Sequence, residues 1–175
     1  MTYNDLIIKS MKIVAANKKS IFLGQSIVYP GNLIFKTLSH ISNSKKIELP
    51  VFEDTQMGMS IGLALTGFLP ISTYPRFDFL LLAFNQMINH LDKLPIITER
   101  QFLPKVIIRV LVGAKTPINA GEQHTQNYIN QVRQMVKTIQ VYDLKNKNII
   151  LSSYNKALKS EYSSLMVEYS EKFDS

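Results

Sequence analysis

The run Val106 to Val112 (VIIRVLV) is rich in β-branched residues and nearly continuous in its apolar character. A strand of that kind suits the interior of a sheet covered on both faces, not a half-solvated one. The rest of the chain alternates accordingly. Helices are expected over Thr2 to Asn17, Asn32 to Ile41, Glu53 to Thr66, Asp78 to Leu91, His124 to Lys137 and near Ser152 to Tyr162. Strands are expected at Ser20 to Leu23, Ile47 to Phe52, Phe68 to Tyr74, Ile139 to Leu144 and Leu165 to Tyr169, and Pro95 to Pro104 is the longest expected loop. Thr2 followed by Asp5 has the form of a capping box, Asp78 stands where an N-cap would, and Gly67 closes the Glu53 helix. Strands alternating with helices predict an α/β fold, doubly wound, with a mostly parallel sheet and helices on both faces.

With 175 residues, 46% of them hydrophobic, the chain suits one compact domain spanning 1–175. It has no cysteine, so disulfides and thiolate metal sites are excluded. The longest apolar runs, such as Phe79 to Phe84, fall far short of the roughly 20 residues that a spanning helix needs, and Asp5 and paired lysines interrupt any secretory pattern near Met1. The expectation is a soluble cytoplasmic protein that makes no membrane contact. A formal charge of +7 raises nucleic acid as a partner. The lysine pairs Lys18-Lys19 and Lys45-Lys46 fall at turns, however, and no basic stripe is interleaved with exposed aromatics, so nucleic acid is not the expected partner.

In open α/β sheets, ligands sit beyond the carboxyl ends of strands. That directs attention to Gly24-Gln25-Ser26, Glu53-Asp54, Pro75 to Asp78, and Gly113 to His124. Three of these regions carry motifs. ELPVFEDTQMGMSIGLALTG (Glu48 to Gly67) is a strand ending in a carboxylate followed by a glycine-spaced helix, YPRFDFLLLAFNQMIN (Tyr74 to Asn89) joins an aromatic turn to an apolar helix, and GEQHTQN (Gly121 to Asn127) is a glycine-containing loop bearing a histidine. Together they resemble the pyrimidine-binding domain of transketolase-like thiamine diphosphate enzymes, most closely the amino-terminal part of the beta subunit of 2-oxoacid dehydrogenase first components. The likeness runs over nearly the whole chain.

The resemblance implies the thiamin diphosphate-binding fold of pyrimidine type, with thiamine diphosphate shared between this chain and a partner subunit. Glu53 takes the position of the glutamate that hydrogen-bonds the pyrimidine ring, and Val51 that of the residue whose main chain borders it. His124 takes that of an active-site histidine. Where the family has a stacking aromatic this sequence has Arg76, with Tyr74 and Phe77 beside it, so three residues compete for that place. The family's diphosphate-and-magnesium motif, Gly-Asp-Gly followed some way on by Asn, is absent from the sequence, which implies that the partner subunit holds Mg2+ and that the chain has no metal site of its own. The implied assembly is a two-plus-two heterotetramer containing a homodimer contact, and the implied activity makes or breaks a carbon-carbon bond next to a carbonyl, either transketolase-like or by 2-oxo acid decarboxylation with acyl transfer. The chain alone would be inactive. Two other classes remain open: a non-catalytic regulatory relic of the same fold, and a basic α/β module that binds nucleic acid.

Bland roles stand beside these. Glu53 and Asp54 suit the first turn of a helix on dipole grounds, with Asp54 the better capping candidate. Gly58 and Gly62 suit close helix packing. His90 suits a core or interface position, His40 suits the surface, and the three histidines are too widely spaced for a metal.

Overall fold

The computed structural model describes residues 1–116 and 119–173. Six parallel strands, β1 (Ser20–Gly24), β2 (Lys46–Glu48), β3 (Leu69–Tyr74), β4 (Ile107–Val112), β5 (Gln140–Asp143) and β6 (Ser164–Tyr169), form one sheet in the order β2-β1-β3-β4-β6-β5. The expected doubly wound α/β architecture is present. On one face lie α1 (Tyr3–Ala15), α2 (Leu33–Leu38) and α7 (Ile150–Lys159), and on the other α3 (Glu53–Leu65), α4 (Phe77–Leu80) and α6 (Ile129–Met135). β4 feeds both layers: Ile107 and Leu111 enter the first core, and Ile108, Val110 and Val112 the second. The VIIRVLV run thus has the two-sided burial that its composition demands. Among the described residues, no helix is long and apolar enough to cross a membrane.

Several boundaries differ from expectation for local reasons. β2 ends at Glu48 instead of running to Phe52. Leu49 N–H still donates to Gly24 O (3.0 Å), but Pro50 has no N–H to continue the ladder and the chain turns outward. Glu53 is therefore the first residue of α3 and not the tip of a strand. The expected Asp78 to Leu91 helix begins at Phe77, tightens into a 3-10 turn at Leu81–Ala83 and widens into π-helix over Asn85–Leu91. Its N-cap is Arg76, and no side chain caps it; Asp78 Oδ2 is buried without a partner. A four-residue helix, α5 (Leu94–Ile97), occupies part of the expected Pro95 to Pro104 loop.

The expected His124 helix is confined to α6. Asn127 Oδ1 accepts from Ile129 N–H (3.1 Å) and defines its start, while the buried Asp92 carboxylate collects the N–H groups of Lys137, Thr138 and Ile139 (2.7–3.0 Å) and diverts the chain just past its end. α1 is closed at its start by the anticipated capping box: Thr2 Oγ1 accepts from Asp5 N–H (3.1 Å), and Asp5 Oδ2 accepts from Thr2 N–H (3.0 Å).

Candidate active site

Chain order reverses between β1 and β3, which are neighbours although β1 leads outward to β2 and β3 leads the other way to β4. The crevice beyond such a pair is where open α/β sheets hold ligands. Here the two strands approach closely: a Cβ on Gly24 would lie 2.6 Å from Thr73 O. Only glycine fits at the end of β1, and the loop Gln25 to Gly31 departs from there.

That loop is fixed from the end of β2. Glu48 closes β2 opposite Gly24, and its carboxylate accepts from the N–H groups of Ser26, Ile27 (2.8 Å) and Val28 (3.0 Å), a nest that helps hold Ser26 at φ 54°. No local pattern marks Glu48 for this role, because its partners lie some twenty residues earlier in the chain. With the loop set, Gln25 Nε2 reaches Glu53 Oε1 at 3.1 Å.

Glu53 is 4% exposed and begins α3. Three hydrogen bonds pin this end of the helix to β3: Tyr74 Oη donates to Glu53 O (3.3 Å), and Gln56 Nε2 donates to Ser72 Oγ (3.1 Å) and Thr73 O (3.0 Å). Burial holds the Tyr74 phenol far above its ordinary pKa, so this contact persists as a neutral donor. Among the described residues Gln25 is the sole hydrogen-bond partner of the Glu53 carboxylate, which leaves Oε2 unspent. An apolar pocket of about 320 Å³ lies along the β2–α3 connection and the first turns of α3, lined by Leu49, Pro50, Phe52, Thr55, Gln56 and Met59 but not by Glu53, and Val51 and Phe52 are 73% and 63% exposed.

The other candidates lie along the same edge of the sheet. Tyr74 and Phe77 are both fully buried in the α3/α4/α6 core, where Phe77 packs edge-on against Tyr128 (5.7 Å between centroids), so neither offers a ring face to a cleft. Arg76, between them in sequence, turns into the space between Pro75 and Gly113. His124 sits in a turn closed by its own N–H donating to Gly121 O (3.1 Å), with its ring edge-on to Phe79 at 5.4 Å. A Cβ on Gly113 would collide with the His124 carbonyl and press on Arg76 Cδ, so Gly113 lets the Gly113 and His124 segments touch. The site residues therefore form two groups, Gln25–Glu53–Tyr74 and Arg76–Gly113–His124, on either side of the end of β3. Among the described residues no three His, Asp or Glu side chains gather into a metal-binding group.

Comparison with solved structures covers nearly all of this arrangement. Transketolase from Campylobacter jejuni subsp. jejuni matches with a TM-score of 0.73 at 16% identity, over 97% of this chain and 26% of that one. The fold is transketolase-like. A split-gene transketolase solved as an inactive beta4 tetramer matches with a TM-score of 0.66 at 16% identity, over 95% of this chain and 49% of that one. A putative thiamin diphosphate-dependent enzyme from Mycobacterium smegmatis matches with a TM-score of 0.60 at 13% identity, over 97% of this chain and 32% of that one.

In sequence, the chain is similar to pyruvate dehydrogenase E1 component beta subunits. It is 33% identical to the one from Gracilaria tenuistipitata var. liui over 114 residues, 63% of this chain and 35% of that protein. It is 36% identical to the chloroplastic beta-3 subunit of Arabidopsis thaliana over 80 residues, 46% of this chain and 19% of that one. The matches thus span from about a fifth to about a third of those relatives' length. No family model matches the chain.

Proposed function

We propose that residues 1–175 form a pyrimidine-binding domain that works within a thiamine diphosphate-dependent enzyme, with Glu53 as the carboxyl that meets the pyrimidine. The observation that carries this reading is the state of Glu53: 4% exposed, held by Gln25 through one oxygen, with the other lacking a protein partner among the described residues and open to solvent at the reversal of the sheet. A buried carboxylate is normally satisfied, and one that is not suits a ligand that completes it. The mostly apolar lining of the pocket along the first turns of α3 suits an aromatic heterocycle, and the resemblance gives Val51 the main chain that would border the ring. When bound, thiamine diphosphate supplies a nucleophilic carbon that adds to a carbonyl, and that chemistry belongs to the coenzyme.

The protein's part is to orient and to hold a proton. Glu53 would hold the pyrimidine by sharing a proton with its ring nitrogen, with Gln25 and the Glu48 nest keeping the carboxylate in place. His124, on the far side of β3 and braced by Phe79, is the candidate to move a proton on the substrate. We assign the diphosphate and Mg2+ to a partner subunit, within a two-plus-two heterotetramer in the cytoplasm. The exposed apolar side chains of Val51, Phe52 and the 64%-exposed Leu82 are what such a partner would cover. The reaction class is cleavage or formation of a carbon-carbon bond next to a carbonyl.

The test is reconstitution with the diphosphate-binding subunit. The chain alone binds thiamine diphosphate weakly by calorimetry, the pair binds it tightly and turns over, and Glu53→Ala in the pair abolishes turnover while leaving assembly intact by size-exclusion chromatography. A Glu53→Ala pair with undiminished turnover removes the proposed role.

A further inference from the structure

We propose that the cleft beyond β1, β3, β4 and β6 binds a small-molecule oxyanion, with Arg76 and Lys36 as its cationic partners. The cleft measures about 750 Å³, and Asn32, Lys36, Arg76, Ser170 and Glu171 are among its lining residues. Neither Glu53 nor Gln25 lines it, so the inference goes beyond the pyrimidine reading and gives Arg76 a task other than stacking on a ring.

The state of Arg76 points to an anion. Its Nη1 donates to Pro75 O (2.6 Å), but its Nε is buried without a partner, and among the described residues no carboxylate lies within ion-pairing distance of the guanidinium. Desolvation draws its pKa below the ordinary arginine value, with Asp78 opposing from beyond ion-pairing range. A guanidinium partly removed from water with a buried N–H left unpaired carries a cost, which is offset when an anion completes it. The planar fork of arginine suits the paired oxygens of a carboxylate or phosphate.

A second orphan lines the same cleft. Ser170 Oγ, just past the end of β6, is also buried with no partner. Lys36, in the last turn of α2, adds a second cation, and Glu171 is the one carboxylate among the described lining residues. Two cations against one carboxylate leave the cleft matched to a single anionic group. Backbone supports the placement: Gly113 admits the Arg76 stem, and Asn32 Nδ2, donating to Ser26 O (2.9 Å), ties the α2 side of the cleft to the loop after β1.

The experiment uses the 175-residue chain, isotope-labelled and titrated by NMR with inorganic phosphate and, separately, with acetate at constant ionic strength. Saturable shifts are expected at the Asn32 and Ser170 amides and at the Arg76 Nε–H. R76Q is expected to weaken binding about tenfold or more through loss of a charge-assisted pair, and K36Q severalfold, at a position outside the buried core where the fold is preserved. R133Q, on the exposed face of α6, keeps wild-type binding. Binding of phosphate alone, acetate alone or both supports the site and identifies the oxyanion it prefers. E53Q keeps phosphate binding whether or not the pyrimidine reading is correct, so the two proposals fail separately. Shifts that stay linear for both anions, which would mean an adventitious ion only, or R76Q and K36Q binding as tightly as wild type, overturn the proposal.

Discussion

Arg109 on β4 and Glu168 on β6 form an ion pair with no solvent exposure, inside the core beneath α1, α2 and α7. Arg109 Nε and Nη2 each donate to Glu168 at 2.8 Å, Nη2 also donates to Thr37 Oγ1 (3.2 Å), and Tyr154 Oη donates to Glu168 Oε1. Nη1 has no partner. Removing one member strands a buried charge, which costs about 3–5 kcal/mol. R109M and E168Q should each lose about that much, a large share of the roughly 5–15 kcal/mol that holds a domain together. The double variant R109M/E168Q strands no charge and leaves at most the introduced amide short of partners, at about 1–3 kcal/mol. Because the pair already wastes Nη1, its net contribution is smaller still, and the double variant should be more stable than either single one. Urea unfolding followed by far-UV circular dichroism, with slopes compared to verify a common transition, gives the coupling energy of the cycle. Losses that simply add in the double variant would refute the reasoning, because they would mean that the two groups do not compensate one another.

Two further outcomes follow from the same geometry. Asp92→Ala leaves the N–H groups of Lys137, Thr138 and Ile139 without their acceptor and should cost about 2–4 kcal/mol, read as a lowered thermal midpoint, whereas Asp92→Asn, which keeps one acceptor oxygen, should cost less. Hydrogen bonds from the Thr2 backbone and then its side chain hold the Asp5 carboxyl below its ordinary value of 3.8. Its folded pKa lies below its unfolded one, so its contribution to stability is present above the unfolded value and is lost as pH falls through the folded pKa. Asp5→Asn should therefore lower the urea midpoint at about pH 7 and leave it unchanged near pH 2, and an equal effect at both would reject the capping role.

Most elements could be placed from composition and spacing because their signals are local. The VIIRVLV run, the Thr2 capping box and Gly67, which takes φ 90° to end α3, each act within a turn or a strand of their own position. What escaped the sequence depends on contacts across the chain. The short β2 depends on Pro50 leaving a ladder whose other rail is β1, and the early end of α6 depends on Asp92, some forty-five residues before it. The widening of Asn85–Leu91 into a π-helix leaves Asp92 N–H bonded to Met87 O (2.9 Å), but no glycine or proline in that segment announces it. Glu48 is the clearest instance: a lone carboxylate in sequence becomes the organiser of the loop that carries Gln25 to Glu53.

The three residues around the end of β3 show how far burial alone can decide among candidates. Tyr74 ends a strand whose every residue is buried, and Phe77 opens a helical turn that repeats at Leu80, placing both rings on the core side. Arg76 has no such option, since a guanidinium without an ion-pair partner cannot be taken fully inside. The side chain left for the cleft is therefore the charged one.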